Sequence, residues 1–536
     1  MKNFFLLFAM IILNCHFLTA VSPVIKLEPK NQVTAISFDL IAKNNTTISI
    51  DWGDGNIENF DLGTNYVTFT GSEFASEIKI YGNSIAGFKI LQVPLAKAIF
   101  ADNYGFKEVS IIHCQLDSLY LINNDELETL YVNYNNLKSL NLEGNSSLIH
   151  LEFLSNSISV IDLSPLEKLK FLGANNNNIR RIDFSRNKLL ATVDLQYNVL
   201  EEIQVDNLIN LKALLLYENQ LKEIDVSNNP LLTDLVCSYN LLSSIDVSHN
   251  PLLIGLGLGS NNLVDLDVTN NTNLTYLNLS NNKLTKKIDL SKNTKLQHLR
   301  LSDNKIPSIN LTALTDLQQL ELANNRLWWI DLNSNAKLWY VDLTQNDFRV
   351  NYLPVPKVAW QEYYYNPQRK IGLAYRKYNT FDVIDLSSEV NRDGVNSMFT
   401  WKNTSGSILI QDLDYSHSGG KFSFLTVQSD SVFCEITNSL FPNMVLETSK
   451  FIVALPTLIN NDALINLVVS PNPCSDYLNV KSEKPIHKVE VFNFSGLKLW
   501  EYNAHNQLEF SLPMVGLNQG LYLIKVDGQC KSVLKM

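Results

Sequence analysis

The chain has 536 residues, with 43 lysines and arginines against 54 aspartates and glutamates, a formal net charge of −11. No basic stripe compensates that excess, which argues against polyanionic partners, and no nucleic acid is expected. Six cysteines in so long a chain exclude a disulfide scaffold, and their spacing forms neither a zinc knuckle nor a Cys-x-x-Cys redox site.

In chain order, residues 1–20 open with Lys2, an apolar run from Phe4 to Leu13 and a small residue at Ala20. This is the pattern of a secretory signal peptide, too short for a membrane span. Cys15 raises a lipoprotein signal instead, but Asn14 is bulkier and more polar than the residue normally found there, so plain secretion is favoured. Residues 24–74 are rich in β-formers and read as an N-terminal β cap. Its centre, Asp51-Trp52-Gly53-Asp54-Gly55, is a turn in which glycines supply positive φ and aspartates bond nearby N–H groups. The sharper reading of these acids is a calcium loop, and the plainer one a cap on the open apolar end of a downstream repeat array.

Residues 75–352 carry the main signal. Asn135, Asn156, Asn177, Asn198, Asn219, Asn240, Asn261, Asn282, Asn304, Asn325 and Asn346 recur every 21 residues with one step of 22. A period this strict means a solenoid. Around each asparagine the frame Leu274-x-x-Leu277-x-Leu279-x-x-Asn282-x-Leu284 repeats, and its period of 2 predicts a short strand buried on one face. A buried asparagine in each coil then gives its amide and carbonyl to backbone groups that have left the strand. A second half-repeat copies the first, as in Leu221-x-x-Ile224-x-Val226-x-x-Asn229, predicting a second asparagine ladder and two outward sheets per coil. Ile78-x-Ile80 and Ala98-x-Phe100 read as degenerate coils. The long step near Lys286-Lys287 reads as a one-residue bulge in a bend.

Outward positions are the candidate ligand surface. Tyr131, Tyr134, Tyr197, Tyr217, Tyr239, Tyr276 and Tyr340 mark the first half-repeat, and Trp329 and Trp339 gather near its end beside Trp328. Exposed aromatics of this density either bind protein or sugar or pack on the following domain. In the second half-repeat Asp225, Asp246, Asp267 and Asp289 form an acidic stripe, one strand spacing apart. Its sharper reading is a weak cation or basic-ligand site. Its plainer reading, which is favoured, is a solvated ladder that keeps turn geometry.

The frame Leu-x-x-Leu-x-Leu-x-x-Asn-x-Leu resembles that of leucine-rich repeat proteins, with Cys114 taking the asparagine position one period before Asn135. The resemblance implies a solenoid that presents a recognition surface, and a repeat this short leaves little room for a convex helix. The Asp51–Gly55 turn resembles that of PKD-like modules. Residues 353–369 form an aromatic and proline-rich junction, and short β-like runs over 370–460 predict a sandwich of immunoglobulin-like size. Residues 467–536 read as a small β domain of short alternating strands. Its Pro471-Asn472-Pro473 opening, Ser495-Gly496 turn and Gly520-x-Tyr522-x-x-Lys525-Val526 close resemble the type A sorting domain of the Bacteroidetes type IX secretion system. That resemblance implies passage through the outer-membrane secretion machinery, then release or anchoring at the cell surface. Cys474 and Cys530 stand near opposite ends of this domain, as a disulfide or as free thiols.

The fold class expected is therefore mainly β: a solenoid of 21-residue coils, capped by β structure and followed by β-sandwich-like domains. No Ser-His-Asp order, Gly-x-Ser-x-Gly elbow or metal-ligand spacing appears, so no enzyme, metal or cofactor is expected. The reading is a monomeric, non-catalytic surface protein, adhesin-like, with an extracellular protein as partner. Alternatives are a glycan-binding module, a structural spacer, and an undetected hydrolase in 370–460.

Overall fold

The computed structural model describes residues 22–30, 33–72, 77–102, 104–455, 467–493, 497–527 and 529–536. The signal-peptide reading of residues 1–20 and the Ser495-Gly496 turn lie outside them. The chain divides into two compact units, Met1–Arg326 with Asp331–Asp342 and Val358–Tyr363, and Leu327–Ile330 with Leu343–Lys357 and Tyr364–Met536. Among the described residues no helix is long and apolar enough to cross a membrane.

The first unit begins with β1 (Ile25–Pro29), β2 (Ile36–Ala42), β3 (Thr46–Asp51), β4 (Ile57–Leu62), β5 (Val67–Gly71), β6 (Ile78–Gly82), β7 (Ile85–Leu91), β8 (Leu95–Phe100), β9 (Glu108–Ile112) and β10 (Ser118–Tyr120). One sheet runs β10-β8-β1-β6-β3-β4, and a second begins β5-β2-β7-β9 and continues into the coils. Alternating inward residues bring Phe38, Phe88, Phe100 and Phe106 together, with ring centroids 5.2–5.8 Å apart along the series. Antiparallel β2 and β5 thus end the parallel ladder, and its apolar end is closed by aromatic side chains.

Asp51 ends β3 in a turn where its Oδ1 accepts the N–H groups of Gly53 and Gly55 at 2.9 and 3.1 Å. Gly53 and Gly55 have φ of 96° and 82°, which a side chain would strain. Trp52 is buried, its ring 5.6 Å from Phe38. Trp52 is therefore a packing residue of the first unit.

One sequence expectation is corrected here. Ile78-x-Ile80 is not a degenerate coil but β6, antiparallel to β1 and β3. Alternation of buried residues is common to parallel and antiparallel strands, so period 2 alone did not separate them. Ala98-x-Phe100 lies in β8, which pairs antiparallel with β1 on one side and parallel with β10 on the other, 21 residues ahead (Lys97 with Ser118).

The coils proper carry β11 (Thr129–Tyr131), β12 (His150–Glu152), β13 (Phe171–Gly173), β14 (Thr192–Asp194), β15 (Ala213–Leu215), β16 (Asp234–Val236), β17 (Gly255–Gly257), β18 (Tyr276–Asn278), β19 (His298–Arg300), β20 (Gln319–Glu321) and β21 (Tyr340–Asp342). All pair in parallel with their sequence neighbours, at one unbroken register from Thr129–His150 to Gln319–Tyr340. The central residue of each strand, from Leu130 through Val193 and Leu256 to Val341, is fully buried. Burying each is worth about 1.5–3 kcal/mol, and the stack forms one continuous core. The 22-residue step between Tyr276 and His298 leaves that register intact, and Lys286 and Lys287 are exposed in the bend.

A further expectation is corrected. From Asn145 to Asn335 the second half-repeat forms no strand, so each coil presents one sheet, not two. Its N–H groups are already committed: that of Ser227 goes to the Asp225 carboxylate and that of Asn229 to the Val226 carbonyl. With those donors spent in turns, no ladder can extend across this face. Asparagine side chains tie the coils together instead.

In the second unit, Val383–Asp385, Lys421–Phe424 and Tyr415–Ser418 form one antiparallel sheet, and Met398–Asn403, Val432–Thr437 and Leu446–Glu447 another. Trp401 is fully buried, with ring centroids of Phe424, Phe422 and Phe451 at 5.1, 5.4 and 5.8 Å. At the C-terminus Val468–Ser470, Tyr477–Phe492, Lys498–Pro513, Gly520–Val526 and Gln529–Lys535 form an antiparallel sheet. Two of these strands are 16 residues long, not short, because register shifts at Lys481–Ile486 and Ile486–Lys488 let the pair bend without breaking. Cys474 and Cys530 are free thiols, Cys474 buried in that core.

Candidate binding face

The face rests on the first asparagine column. Asn219 accepts the Leu200 N–H at 2.9 Å and donates to the Leu195 and Leu216 carbonyls at 3.0 and 3.2 Å, joining its own coil to the preceding one. Asn198, Asn240, Asn261, Asn282, Asn304 and Asn325 repeat this pattern. At the start of the column, Cys114 replaces asparagine, and its N–H is accepted by Asn135 Oδ1 at 3.1 Å.

After Asn145, whose Oδ1 accepts the Asn124 N–H at 3.2 Å, the second column uses only half of each amide, a correction to the reading of two ladders under one rule. Asn229 donates to the Val205 and Leu208 carbonyls at 2.8 and 2.9 Å. Its Oδ1 has no partner among the described residues, and the same holds at Asn187, Asn250, Asn271, Asn293 and Asn335.

Sequence reasoning missed one backbone feature. Tyr134, Tyr197, Glu218, Tyr239, Ser260 and Asp303, each preceding a ladder asparagine, have φ between 52° and 58°. The chain must turn sharply to bring the asparagine inward, and it does so in the left-handed region regardless of side chain. Only the frequency of asparagine at this position (Asn176, Asn281, Asn324) hinted at it.

The candidate tyrosines consequently fall into separate columns. Tyr131 stands after the central residue of its strand, Tyr276 and Tyr340 before theirs, Tyr217 in the turn, and Tyr134, Tyr197 and Tyr239 at left-handed positions. Tyr197, Tyr217 and Tyr239 nevertheless form a run across successive coils, with ring centroids 5.2 and 5.0 Å apart. Partial burial, and then the neighbouring Tyr239, Tyr197 and Glu218, push the Tyr217 hydroxyl above its ordinary pKa. Tyr134 stacks on His113 at 4.1 Å, and Tyr131 lies 5.1 Å from His150.

Near the end of the coils, Trp339 and Tyr340 meet edge to face at 5.9 Å. Trp328, in the second unit, packs edge to face on Tyr352 at 5.5 Å, and Trp329 is exposed.

Beside the tyrosine run, β17 supplies only glycines outward: Gly255, Gly257 and, in the turn, Gly259. The result is a recess of about 650 Å³ walled by Tyr217 and Tyr239 on one side and by Tyr276, Arg300 and Asp303 on the other. Arg300 Nε lies 3.1 Å from Glu321 Oε1, and its guanidinium sits 5.9 Å over the Tyr276 ring. Desolvation holds the Glu321 carboxyl above its ordinary range, and Arg300 pulls it back only in part.

On the second half-repeat, Asp225, Asp246, Asp267 and Asp289 each accept the N–H of the residue two ahead at 2.8–2.9 Å. That backbone bond, or at Asp246 the Ser248 hydroxyl before it, lowers each carboxyl below its ordinary pKa, at Asp225 and Asp267 against the like charge of neighbouring aspartates. Among the described residues no group of three or more His, Cys, Asp or Glu is placed to hold a metal ion. Cys237 occupies an inward leucine position, where burial pushes its thiol up to about 12.

Comparison with known proteins bears on both ends of this description. Residues 468–536 match the family model described as a secretion system C-terminal sorting domain. No curated protein matches the chain. Among solved structures, the functional domain of InlJ from Listeria monocytogenes, which includes a cysteine ladder, superposes with a TM-score of 0.51 at 19% identity, covering 70% of this chain and 93% of that one. The internalin InlF from the same organism gives 0.42 at 24% identity over 49% and 82%, and YopM from Yersinia enterocolitica gives 0.37 at 22% over 50% and 68%. At such identities the InlJ likeness shows the fold alone, a mainly-β solenoid of repeating coils. The sorting domain carries the location: this chain is secreted to, and anchored at, the bacterial cell surface through the type IX secretion machinery of the outer membrane.

Proposed function

We propose that this chain is a non-catalytic, adhesin-like surface protein, a leucine-rich repeat solenoid that recognises an extracellular protein through the outward face of β11–β21. One observation carries the reading: inward positions are held constant while outward ones vary, and the variation includes the tyrosine run of exposed Tyr197 and Tyr239 about half-buried Tyr217. Tyrosines present large, rigid contact area at low entropic cost, the property of interface anchors. Trp339 and Tyr340, in the last coil of the same unit, would extend that surface. The two sheets closing on Trp401 support an immunoglobulin-like spacer in 370–460, and the sorting domain fits a Bacteroidetes-type exporter. The acidic stripe serves turn geometry, since each carboxylate is engaged by its own backbone. The protein acts as a monomer without a cofactor.

The test is a binding screen of the secreted protein against immobilised extracellular-matrix proteins and glycans. A protein ligand whose retention falls at least tenfold in Y197S/Y217S/Y239S supports the reading. Retention of glycans alone favours the glycan module, and binding indifferent to the triple change sinks the proposed face.

A further inference from the structure

We infer that the glycine recess of β17 receives an arginine side chain from an extended, basic segment of the protein partner. This rests on the protein-binding reading above and specifies its chemistry. At the outward positions of β11–β21 and their following turns, the carboxylates Glu152, Asp194, Glu218, Asp234, Asp303, Glu321, Asp342 and Asp347 outnumber the cations Lys283, Arg300, Lys305 and Arg326. Arg300 is already spent on Glu321 at 3.1 Å, so the face keeps a negative surplus. Complementarity across an interface then calls for a basic partner.

The recess itself selects the side chain. Its volume of about 650 Å³ is ample for one long side chain with its flanking backbone. Tyr217 and Tyr239 line it on the side away from Arg300, and a planar cation stacks favourably on such rings. Asp303 stands at the rim, one of its oxygens held by Asn324 Nδ2 at 2.7 Å, which fixes the carboxylate for a charged donor. A Cβ at Gly259 would press on Asn278 at 3.1 Å, but at Gly257 packing supplies no reason for glycine. A Cβ at Gly257 would meet nothing closer than Ser238 Oγ at 3.4 Å, and Gly257 does not need positive φ. The chain tolerates a side chain there and lacks one, which leaves the recess open.

The experiment uses the full secreted chain and an array of twelve-residue peptides carrying a central arginine, lysine, citrulline or glutamate in a common neutral frame. Arginine peptides are expected to be retained at least tenfold better than citrulline peptides, which keep the shape but not the charge. That preference should fall at least tenfold in G257F, which fills the recess, and in D303N, which changes only charge, with circular dichroism unchanged. D225N, on the other half-repeat, should leave it intact. Equal retention of arginine and citrulline, or indifference to both recess variants, overturns the inference. If a protein ligand still binds in a manner sensitive to Y217S while the arginine preference is absent, only the partner chemistry fails. If no substitution on the outward face of β11–β21 affects any ligand, the binding reading fails with it.

Discussion

Single side chains join neighbouring coils of this solenoid alongside its parallel strand ladder. Asn219 satisfies one N–H and two carbonyls across adjacent coils, all buried, whereas Asn229 satisfies two carbonyls and leaves its own oxygen unpartnered. A buried polar group left unmade costs about 1–3 kcal/mol. Asn219→Leu is therefore expected to destabilise by about 3 kcal/mol or more, and Asn229→Leu by about 2 kcal/mol, since the latter also removes an unsatisfied oxygen. Urea denaturation of the two variants checks the order. The acidic stripe allows a prediction in pH. Asp225, Asp246, Asp267 and Asp289 titrate lower folded than unfolded, so their contribution is whole above the ordinary carboxylate range near pH 4 and is lost as pH falls through the folded values. Replacing the four by asparagine keeps the turn acceptor and removes the titration. The urea midpoint of that variant should change less between pH 5 and pH 2.5 than the parent's.

At the level of the coil, the sequence made half the architecture legible. Alternating leucines and the asparagine register lead directly to parallel strands at one register, because a slip of one residue would expose every inward leucine. The second half-repeat has the same pattern on paper, yet it is not a strand, because Asp225 and its equivalents divert backbone donors into turns. That diversion is a competition between side chain and backbone acceptors, invisible to a count of apolar positions. The glycine recess was equally hidden: it arises from neighbouring coils, so Gly257 acquires meaning only beside Tyr217, Tyr239 and Arg300. Where the extra residue sits decides whether it matters. Deleting Lys287, in the exposed bend of the 22-residue coil, should leave the melting temperature within a few degrees of the parent's. Deleting Asn278, in β18, should abolish cooperative melting of the solenoid, because it turns the inward residues of that coil outward.

On the scale of the molecule, a binding face is useful only where its ligand is, and the C-terminal sheet supplies the location. Residues 468–536 match a secretion sorting domain, and the described part of that region has a core of its own, built on Leu478, Val480, Val489, Val491, Ile524 and Val533. A segment with its own core can carry its signal to an unrelated cargo, since the information needed for export does not depend on the coils. Residues 467–536 fused behind a signal peptide and a fluorescent reporter should therefore reach the surface of a bacterium that has the type IX machinery, and remain periplasmic in a strain without it. Protease accessibility on intact cells reads the outcome. Replacing Val491 by Asp places an unpaired carboxylate in that core, a change costing several kcal/mol, and should hold the reporter in the periplasm. Val468→Asp, on an exposed position of the first strand, controls for charge alone and should still be exported. If both variants were exported equally, the signal would reside in a linear stretch of sequence and the folded sheet would have no part in recognition.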